Sequence, residues 1–311
     1  LYYSLVIAAN NALIELDNFA EKIPVSNAAD IKLNRQYKAE VRFLRAYAHL
    51  MVSRLFGNVP ILIDSDNIGR LATIQKSTVA EVRQFIIDEM NACSEDLEDA
   101  RPNQSKHIGA VTKYSALLLK AKAAADLAGN DNGSAHWNDV LDATNKIIAS
   151  GRFSLYPNYY ELFKIPGKLS NESIFELQYS DFGLGTGDIV RPGVDWGTFF
   201  KWQGPSGDQK GSPISGAGWV PPSQNIVDFL TNRGETERLK TTILYCGVNG
   251  NPATTATSPS GDVVYGNPFG VKYFNGKAYL PKSQMTAGRM EYGANNNVRI
   301  LRYADVLLLN A

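Results

Sequence analysis

The chain has 311 residues, of which 44% are apolar and 20% charged, a composition typical of a globular protein with a sizeable core. Its 31 lysine and arginine residues balance 31 aspartate and glutamate residues, which disfavours a dedicated nucleic-acid-binding protein. Two cysteines and three histidines are too few for a disulfide framework or a cysteine-rich zinc site, and every apolar run is shorter than the roughly 18 residues that a membrane-spanning helix needs.

The first 129 residues have a helical pattern. Between residues 40 and 56, apolar side chains recur at spacings of three and four, which predicts one buried helix face formed by Val41, Leu44, Ala48, Met51 and Leu55. Gly57 stands where a left-handed C-terminal cap is favoured, and Pro60 follows it. This segment is therefore predicted to be a helix that ends at Gly57.

Further helices are predicted up to residue 151. Thr78 and Glu81 have the spacing of a capping box that opens a helix running to about Ala100. An alanine-rich helix over 110–128, in which small side chains permit close helix packing, precedes another that runs from Trp137 to Gly151. Residues 1–151 are therefore predicted to form an α-helical array whose helix pairs resemble tetratricopeptide units.

Residues 152–297 are predicted to be rich in loops. Residues 173–179 alternate apolar and polar side chains like a short strand, and Ser223 is predicted to cap a short helix. Ten glycines and five prolines fall within 182–222, which is too many for regular elements. Three of the four tryptophans also lie there, and aromatic side chains argue against disorder. We therefore expect a binding surface in this part of the chain.

The last segment, residues 298–311, is predicted to begin a further helix that is cut short. Its apolar helical run has no stop signal after it, so we expect the chain to be a fragment of a longer protein, truncated at both ends. The three segments together are expected to form one compact domain.

The sequence gives no positive sign of catalysis. It contains no Gly-x-Ser-x-Gly, Walker or His-Glu-x-x-His motif. Cys93 and Cys246 are interpreted as small buried hydrophobic residues, and His49 is placed with Arg42 and Arg45 on a solvated or ion-paired helix face. We therefore predict no catalytic residues, no metal site and no cofactor.

Four segments, in order along the chain, resemble the SusD/RagB family. Residues 40–46 read E-V-R-F-L-R-A and are followed at 55–60 by L-F-G-N-V-P, which resembles a helix signature of that family. Residues 148–155 (I-A-S-G-R-F-S-L), 171–176 (N-E-S-I-F-E) and 302–308 (R-Y-A-D-V-L-L) resemble three further family stretches.

The resemblance implies a mainly α, SusD-like fold with tetratricopeptide-type helix pairs, a loop-rich ligand face and little β structure. It implies a non-catalytic lipoprotein at the surface of the outer membrane, held by a lipid anchor outside this fragment. Such a protein captures oligosaccharide or polysaccharide and delivers it to a SusC-like TonB-dependent transporter. Arg42, Arg45, Gly57 and Arg302 are scaffold residues in this interpretation.

The expected ligand-binding residues lie in the tryptophan-rich loop. Sugar rings expose apolar C–H faces that pack on indole rings, while amides, carboxylates and arginine bind the hydroxyl groups. The resemblance places a ligand-facing aromatic residue at Trp219. The other candidates are Trp196 and Trp202 from the same loop, with Asp195 and Arg191 as polar partners.

Three alternatives remain open at this point. A peptide-binding member of the same family would bind protein digests and ignore polysaccharides. A helical-repeat protein-interaction module would use the tryptophans as core residues. A glycoside-active enzyme would need two carboxylates about 5–10 Å apart in its cleft.

Overall fold

The structure is a computed structural model, and it describes residues 2–64, 73–179, 199–206, 216–245, 255–266, 271–285 and 295–311. The helices are α1 (Tyr2–Ala20), α2 (Ala28–Phe56), α3 (Val79–Cys93), α4 (Lys113–Ala128), α5 (His136–Ala149), α6 (Phe199–Gln203), α7 (Gln224–Asn232), α8 (Glu237–Thr242) and α9 (Tyr303–Asn310). The strands are β1 (Ser173–Leu177), β2 (Ile243–Tyr245), β3 (Thr255–Thr257), β4 (Val263–Tyr265), β5 (Tyr273–Asn275) and β6 (Val298–Arg302). The fold is mainly α, as predicted.

The chain divides into two compact units. Unit 1 comprises Leu1–Leu155, Asn171–Phe175 and Ile300–Ala311. Unit 2 comprises Tyr156–Ser170 and Glu176–Arg299. The boundaries that we predicted for three segments, at residues 151 and 297, remain predictions.

Local sequence signals set the ends of the helices in unit 1. The Thr78 side chain accepts a hydrogen bond from the Glu81 backbone N–H at 3.2 Å, and the Glu81 carboxylate accepts one from the Thr78 N–H at 2.7 Å. This is the predicted capping box, and it opens α3 at Val79. Gly57 has φ +73° at the end of α2, which confirms the predicted glycine cap.

The predicted buried face of α2 is confirmed only in part, because Ala48 is buried and Leu44 and Met51 pack partly buried against the core, but Leu55 does not. Leu55 is 63% exposed, whereas Phe43, Ala46 and Leu50 are buried. The helix packs against α1 and also against α3, so its middle turns are covered from more than one side. A single apolar stripe predicts burial on one face only, and it therefore misses the further buried residues of a helix that lies between two neighbours.

The sequence predicts His49 on a solvated or ion-paired helix face, whereas the structure buries it completely in α2. Its Nδ1 lies 2.9 Å from the Arg45 carbonyl oxygen, and its Nε2 accepts a hydrogen bond from the Leu62 backbone N–H at 3.1 Å. The neutral imidazole therefore links α2 to the segment that follows it. Burial lowers the pKa of His49 to about 4, although the Arg45 carbonyl opposes the shift.

Arg42 and Arg45 form ion pairs within the helical unit. Both guanidinium groups lie 2.8 Å from carboxylate oxygens of Glu89 on α3. Burial alone would raise the pKa of Glu89, but the two arginines outweigh it and hold the pKa below its usual range. These residues stabilise the packing of α2 on α3, which is a scaffold role.

The described residues of unit 2 form a small core of their own and contain short helices and strands. Strands β2 and β5 pair antiparallel with Leu244 opposite Phe274, and β3 pairs antiparallel with β4. The buried core contains Phe200, Leu244, Val264, Phe274, Tyr279 and Leu280. This core supports the loops that hold two of the predicted ligand-binding tryptophans.

Strands β1 and β6 form a two-stranded sheet. The predicted strand over 173–179 is therefore present as β1, although its first four residues are all buried rather than alternating. The last segment is strand over Val298–Arg302, and its helix begins at Tyr303.

Candidate functional site

The candidate site is built on the short helix α6. Phe200 is buried in the core of unit 2, whereas Trp202, two residues further along, is 41% exposed. Positions two apart on a helix point to nearly opposite sides, so anchoring Phe200 in the core turns Trp202 away from it. Helix α6 ends at Gln203, and the N–H of the next residue, Gly204, donates to the Phe200 carbonyl oxygen at 2.6 Å.

A second segment, residues 216–219, pairs with the end of α6. The Gly218 N–H donates to the Gly204 carbonyl oxygen at 2.9 Å, and the Trp219 N–H donates to the Trp202 carbonyl oxygen at 2.7 Å. Gly218 has φ +70°, and a Cβ atom there would lie 2.6 Å from the Ser206 Oγ. Only glycine fits this close approach without displacement. These backbone contacts bring Trp219 beside Trp202.

The two indole rings stack on each other. Their centroids are 4.6 Å apart and their planes differ by 25°. Trp219 is 58% exposed, so the pair presents a large aromatic surface to solvent. Two adjacent exposed indoles are uncommon on a protein surface, and their flat faces are able to cover apolar groups of a ligand.

The residue after Trp219 is unusual as well. Val220 has φ +55°, a left-handed conformation that β-branched residues rarely adopt, and its side chain is 69% exposed. Strained backbone of this kind concentrates at ligand sites, where the surrounding structure holds it in place. The strain therefore falls directly beside the aromatic surface.

The helix that follows adds apolar and polar groups to unit 2. Phe229 on α7 is 52% exposed, and the Arg233 guanidinium lies 5.4 Å from its ring centroid. Gln224, at the start of α7, accepts a hydrogen bond from the Tyr273 hydroxyl at 3.1 Å. Aromatic surfaces with amide and phenol groups nearby can bind both the faces and the hydroxyl groups of a sugar.

The predicted site residues have different outcomes. The structure brings Trp202 and Trp219 together, a pairing that the sequence did not predict. Trp196, Asp195 and Arg191 lie outside the described residues. The ligand-binding roles of all five residues remain predictions.

Cys93 is buried in unit 1, where burial raises the pKa of its thiol to about 12, as expected for an inert hydrophobic residue. Histidine, cysteine, aspartate and glutamate side chains do not gather in threes, as a metal site would need, anywhere in the described ranges. In the described ranges, no helix is both long enough and apolar enough to span a membrane.

Residues 1–121 match the model of a family described as SusD-like, starch-binding and associating with the outer membrane. A SusD-like protein of Bacteroides ovatus is 25% identical over 186 residues, which cover 58% of this chain and 32% of the relative. SusD-like protein P25 of Formosa agariphila is 22% identical over 170 residues, which cover 55% of this chain and 30% of that protein. The chain spans about a third of the length of the curated relatives it matches.

Solved structures have the same fold. A SusD homologue from Bacteroides thetaiotaomicron superposes with a TM-score of 0.78 and 20% identity, covering 99% of this chain and 60% of the homologue. Surface glycan-binding protein A from the same organism, in complex with laminarihexaose, gives a TM-score of 0.72 and 22% identity, with 99% and 62% covered. These similarities confirm the predicted fold class.

Proposed function

We propose that this SusD-like protein binds oligosaccharide or polysaccharide at the cell surface and delivers it to a TonB-dependent transporter of the outer membrane. SusD-like proteins bind glycans and are not enzymes. The observation that carries the proposal is the stacked, exposed pair of Trp202 and Trp219. The outer-membrane location rests on the description of the matching family.

The tryptophan pair has the chemistry that a sugar platform needs. An indole offers a flat, polarisable face to the C–H groups of a pyranose ring, and such contacts need no charge on the ligand. If a sugar covers about 70 Å² of the Trp219 ring, removing that apolar surface from water favours binding by about 2 kcal/mol. A platform of this kind is shallow, so we expect modest affinity for one sugar and stronger binding of a chain.

A peptide ligand is the second candidate, since aromatic surfaces bind peptides too. Calorimetric titration separates the two candidates, with the purified chain titrated with laminarin, xylan, starch and pectin and, separately, with a tryptic protein digest. Heat of binding with at least one polysaccharide and none with the digest supports the proposal. Binding to the digest alone would contradict it and favour the peptide-binding alternative.

A further inference from the structure

Unit 2 contains a cleft that the sequence did not predict, with a volume of about 170 Å³. Its apolar lining comes from Phe163, Phe200 and Leu280. Its polar lining is formed by carboxamides and two cations: Gln203, Asn275, Asn296, Asn297, Lys277 and Arg299. Gln203 directly follows Trp202 on α6, so one short helix contributes to both features.

A buried lysine side chain fixes the turn that carries Lys277. Lys164 is completely buried, and its Nζ donates to the carbonyl oxygen of Gly276 at 2.7 Å and to that of Tyr279. The Asn275 side chain accepts hydrogen bonds from the backbone N–H groups of Lys277 and Ala278 at 3.1 and 3.2 Å. The backbone at Lys277 is therefore held in place before any ligand arrives.

Asn296, Asn297 and Arg299 are already engaged with protein groups. Asn296 donates to the Phe163 carbonyl oxygen at 3.0 Å and accepts from Arg299 at 2.7 Å. Asn297 donates to the Glu176 carboxylate at 2.8 Å, and its Oδ1 accepts from the Tyr179 N–H at 3.0 Å. These contacts hold the three side chains in fixed positions on this side of the cleft.

Two hydrogen-bond donors remain open to a ligand. The Gln203 Oε1 accepts from the Asn275 amide at 2.7 Å, whereas the Gln203 Nε2 donates to none of the described residues. The Lys277 Nζ lies 4.8 Å from the ring centroid of Phe163 and 5.6 Å from that of Tyr159, and no described carboxylate pairs with it. Since both open groups are donors and one carries a full positive charge, the complementary ligand group is an anionic acceptor.

The charge of the lining supports the same conclusion. The lining includes the cations Lys277 and Arg299 but, within the described ranges, no aspartate or glutamate. Arg299 lies 3.7 Å from the buried carboxylate of Glu176, which balances its charge. Within the described ranges, no carboxylate balances the positive charge of Lys277 in this way, so the cleft attracts a negative group.

We propose that this cleft binds an acidic sugar unit. The apolar face of a pyranose ring contacts Phe163, and a carboxylate or sulfate on that ring accepts hydrogen bonds from Lys277 Nζ and Gln203 Nε2. The inference rests on the proposed function and extends it, because it assigns a charge class to the ligand. The tryptophan pair binds ring faces whatever the charge, and the cleft selects a uronic acid or sulfated unit.

The test compares three oligosaccharides of equal length: a galacturonate trimer, a sulfated trimer and a neutral glucose trimer. Dissociation constants are measured by calorimetry for the wild type and for Lys277→Gln, Lys277→Arg and Lys240→Gln. Lys240 is a matched control, because it lies in the same unit, its side chain is 68% exposed and it is not part of the cleft lining. Circular dichroism and thermal unfolding confirm that each variant is folded.

We expect an acidic trimer to bind more tightly than the neutral one, and Lys277→Gln to weaken its binding by about tenfold. Lys277→Arg should retain most of the affinity and Lys240→Gln all of it. The affinity should also fall as salt is added. The galacturonate and sulfated arms distinguish a carboxylate from a sulfate as the recognised group.

Equal binding of acidic and neutral trimers, or an unchanged affinity in Lys277→Gln, would overturn the inference. Binding of acidic peptides at Lys277 in place of sugars would overturn the ligand class. If Trp219→Ala weakens the binding of a neutral polysaccharide and Lys277→Gln does not, the proposed function is supported and only the acidic-sugar inference is rejected. If no glycan binds the wild type, both the proposed function and the acidic-sugar inference are rejected.

Discussion

Replacing Gly218 with alanine tests how the tryptophan pair is held. A Cβ atom at this position would lie 2.6 Å from the Ser206 Oγ, 2.8 Å from the Ser206 Cβ and 3.1 Å from a ring carbon of Phe274. Ser206 and Phe274 are both buried, so neither side chain has open space to move into. The 216–219 segment must therefore shift away from α6, and Trp219 must shift with it.

The free energy of unfolding that Gly218→Ala is expected to lose has two parts. Gly218 has φ +70°, and alanine in a left-handed conformation costs about 1–2 kcal/mol. Overlap with buried neighbours adds about 1–3 kcal/mol. Gly234 provides a matched control, because it has φ +68° and nothing lies within 4 Å of its Cβ position. Gly234→Ala should therefore lower the free energy of unfolding only by the cost of the left-handed conformation.

The assay is urea unfolding of both variants, together with the circular dichroism of the coupled indoles and the affinity for polysaccharide. We expect Gly218→Ala to lower the free energy of unfolding by about 1–3 kcal/mol more than Gly234→Ala does, and to reduce both the indole coupling signal and the affinity. Equal destabilisation by the two variants, with indole coupling unchanged in Gly218→Ala, would refute the reasoning.

Two further predictions concern unit 1. The pKa of His49 is about 4 in the folded chain against 6.5 when unfolded, so stability should be complete above pH 6.5 and fall by about 3 kcal/mol as the pH is lowered towards 4. His49→Gln should lose this part of the pH dependence in urea titrations, and an unchanged profile would contradict the assignment. Glu89→Ala should lower the free energy of unfolding by about 3–5 kcal/mol, since it leaves the buried Arg45 guanidinium without a carboxylate to balance its charge. A loss below 1 kcal/mol in thermal or urea unfolding would show that the pair contributes little.

Local signals in the sequence predict the helices of unit 1 well. The Thr78–Glu81 capping box and the glycine after α2 act within one helical turn, so their effect can be worked out from neighbouring residues alone. The buried residues of α2 depend on helices from other parts of the chain, so the sequence pattern predicts Ala48 correctly but not the exposure of Leu55. His49 is buried for the same reason, because its hydrogen-bond partner Leu62 lies 13 residues away.

The candidate site depends even more on distant contacts. The composition of residues 182–222 predicts a binding surface there, and Trp202 and Trp219 are among its predicted ligand-binding residues. Their stacking depends on two backbone hydrogen bonds, from Gly218 to Gly204 and from Trp219 to Trp202, which join residues 14 and 17 positions apart. The cleft brings Lys277 beside Phe163, more than a hundred residues earlier, and no spacing rule predicts such a contact. In the same way, β6 has the apolar and branched residues of a strand, but its partner β1 is more than 100 residues away.

The measurement that tests the central claim most directly is native gel electrophoresis through gels that contain single polysaccharides. The wild type runs beside Trp219→Ala and beside Phe19→Ala, a control that removes an aromatic side chain of similar exposure (54% against 58%) from unit 1. We predict that at least one polysaccharide retards the wild type and Phe19→Ala, and that a folded Trp219→Ala migrates freely, with affinity lowered by about tenfold or more. Equal retardation of Trp219→Ala and the wild type would contradict the claim that the exposed indole pair is the glycan-binding surface.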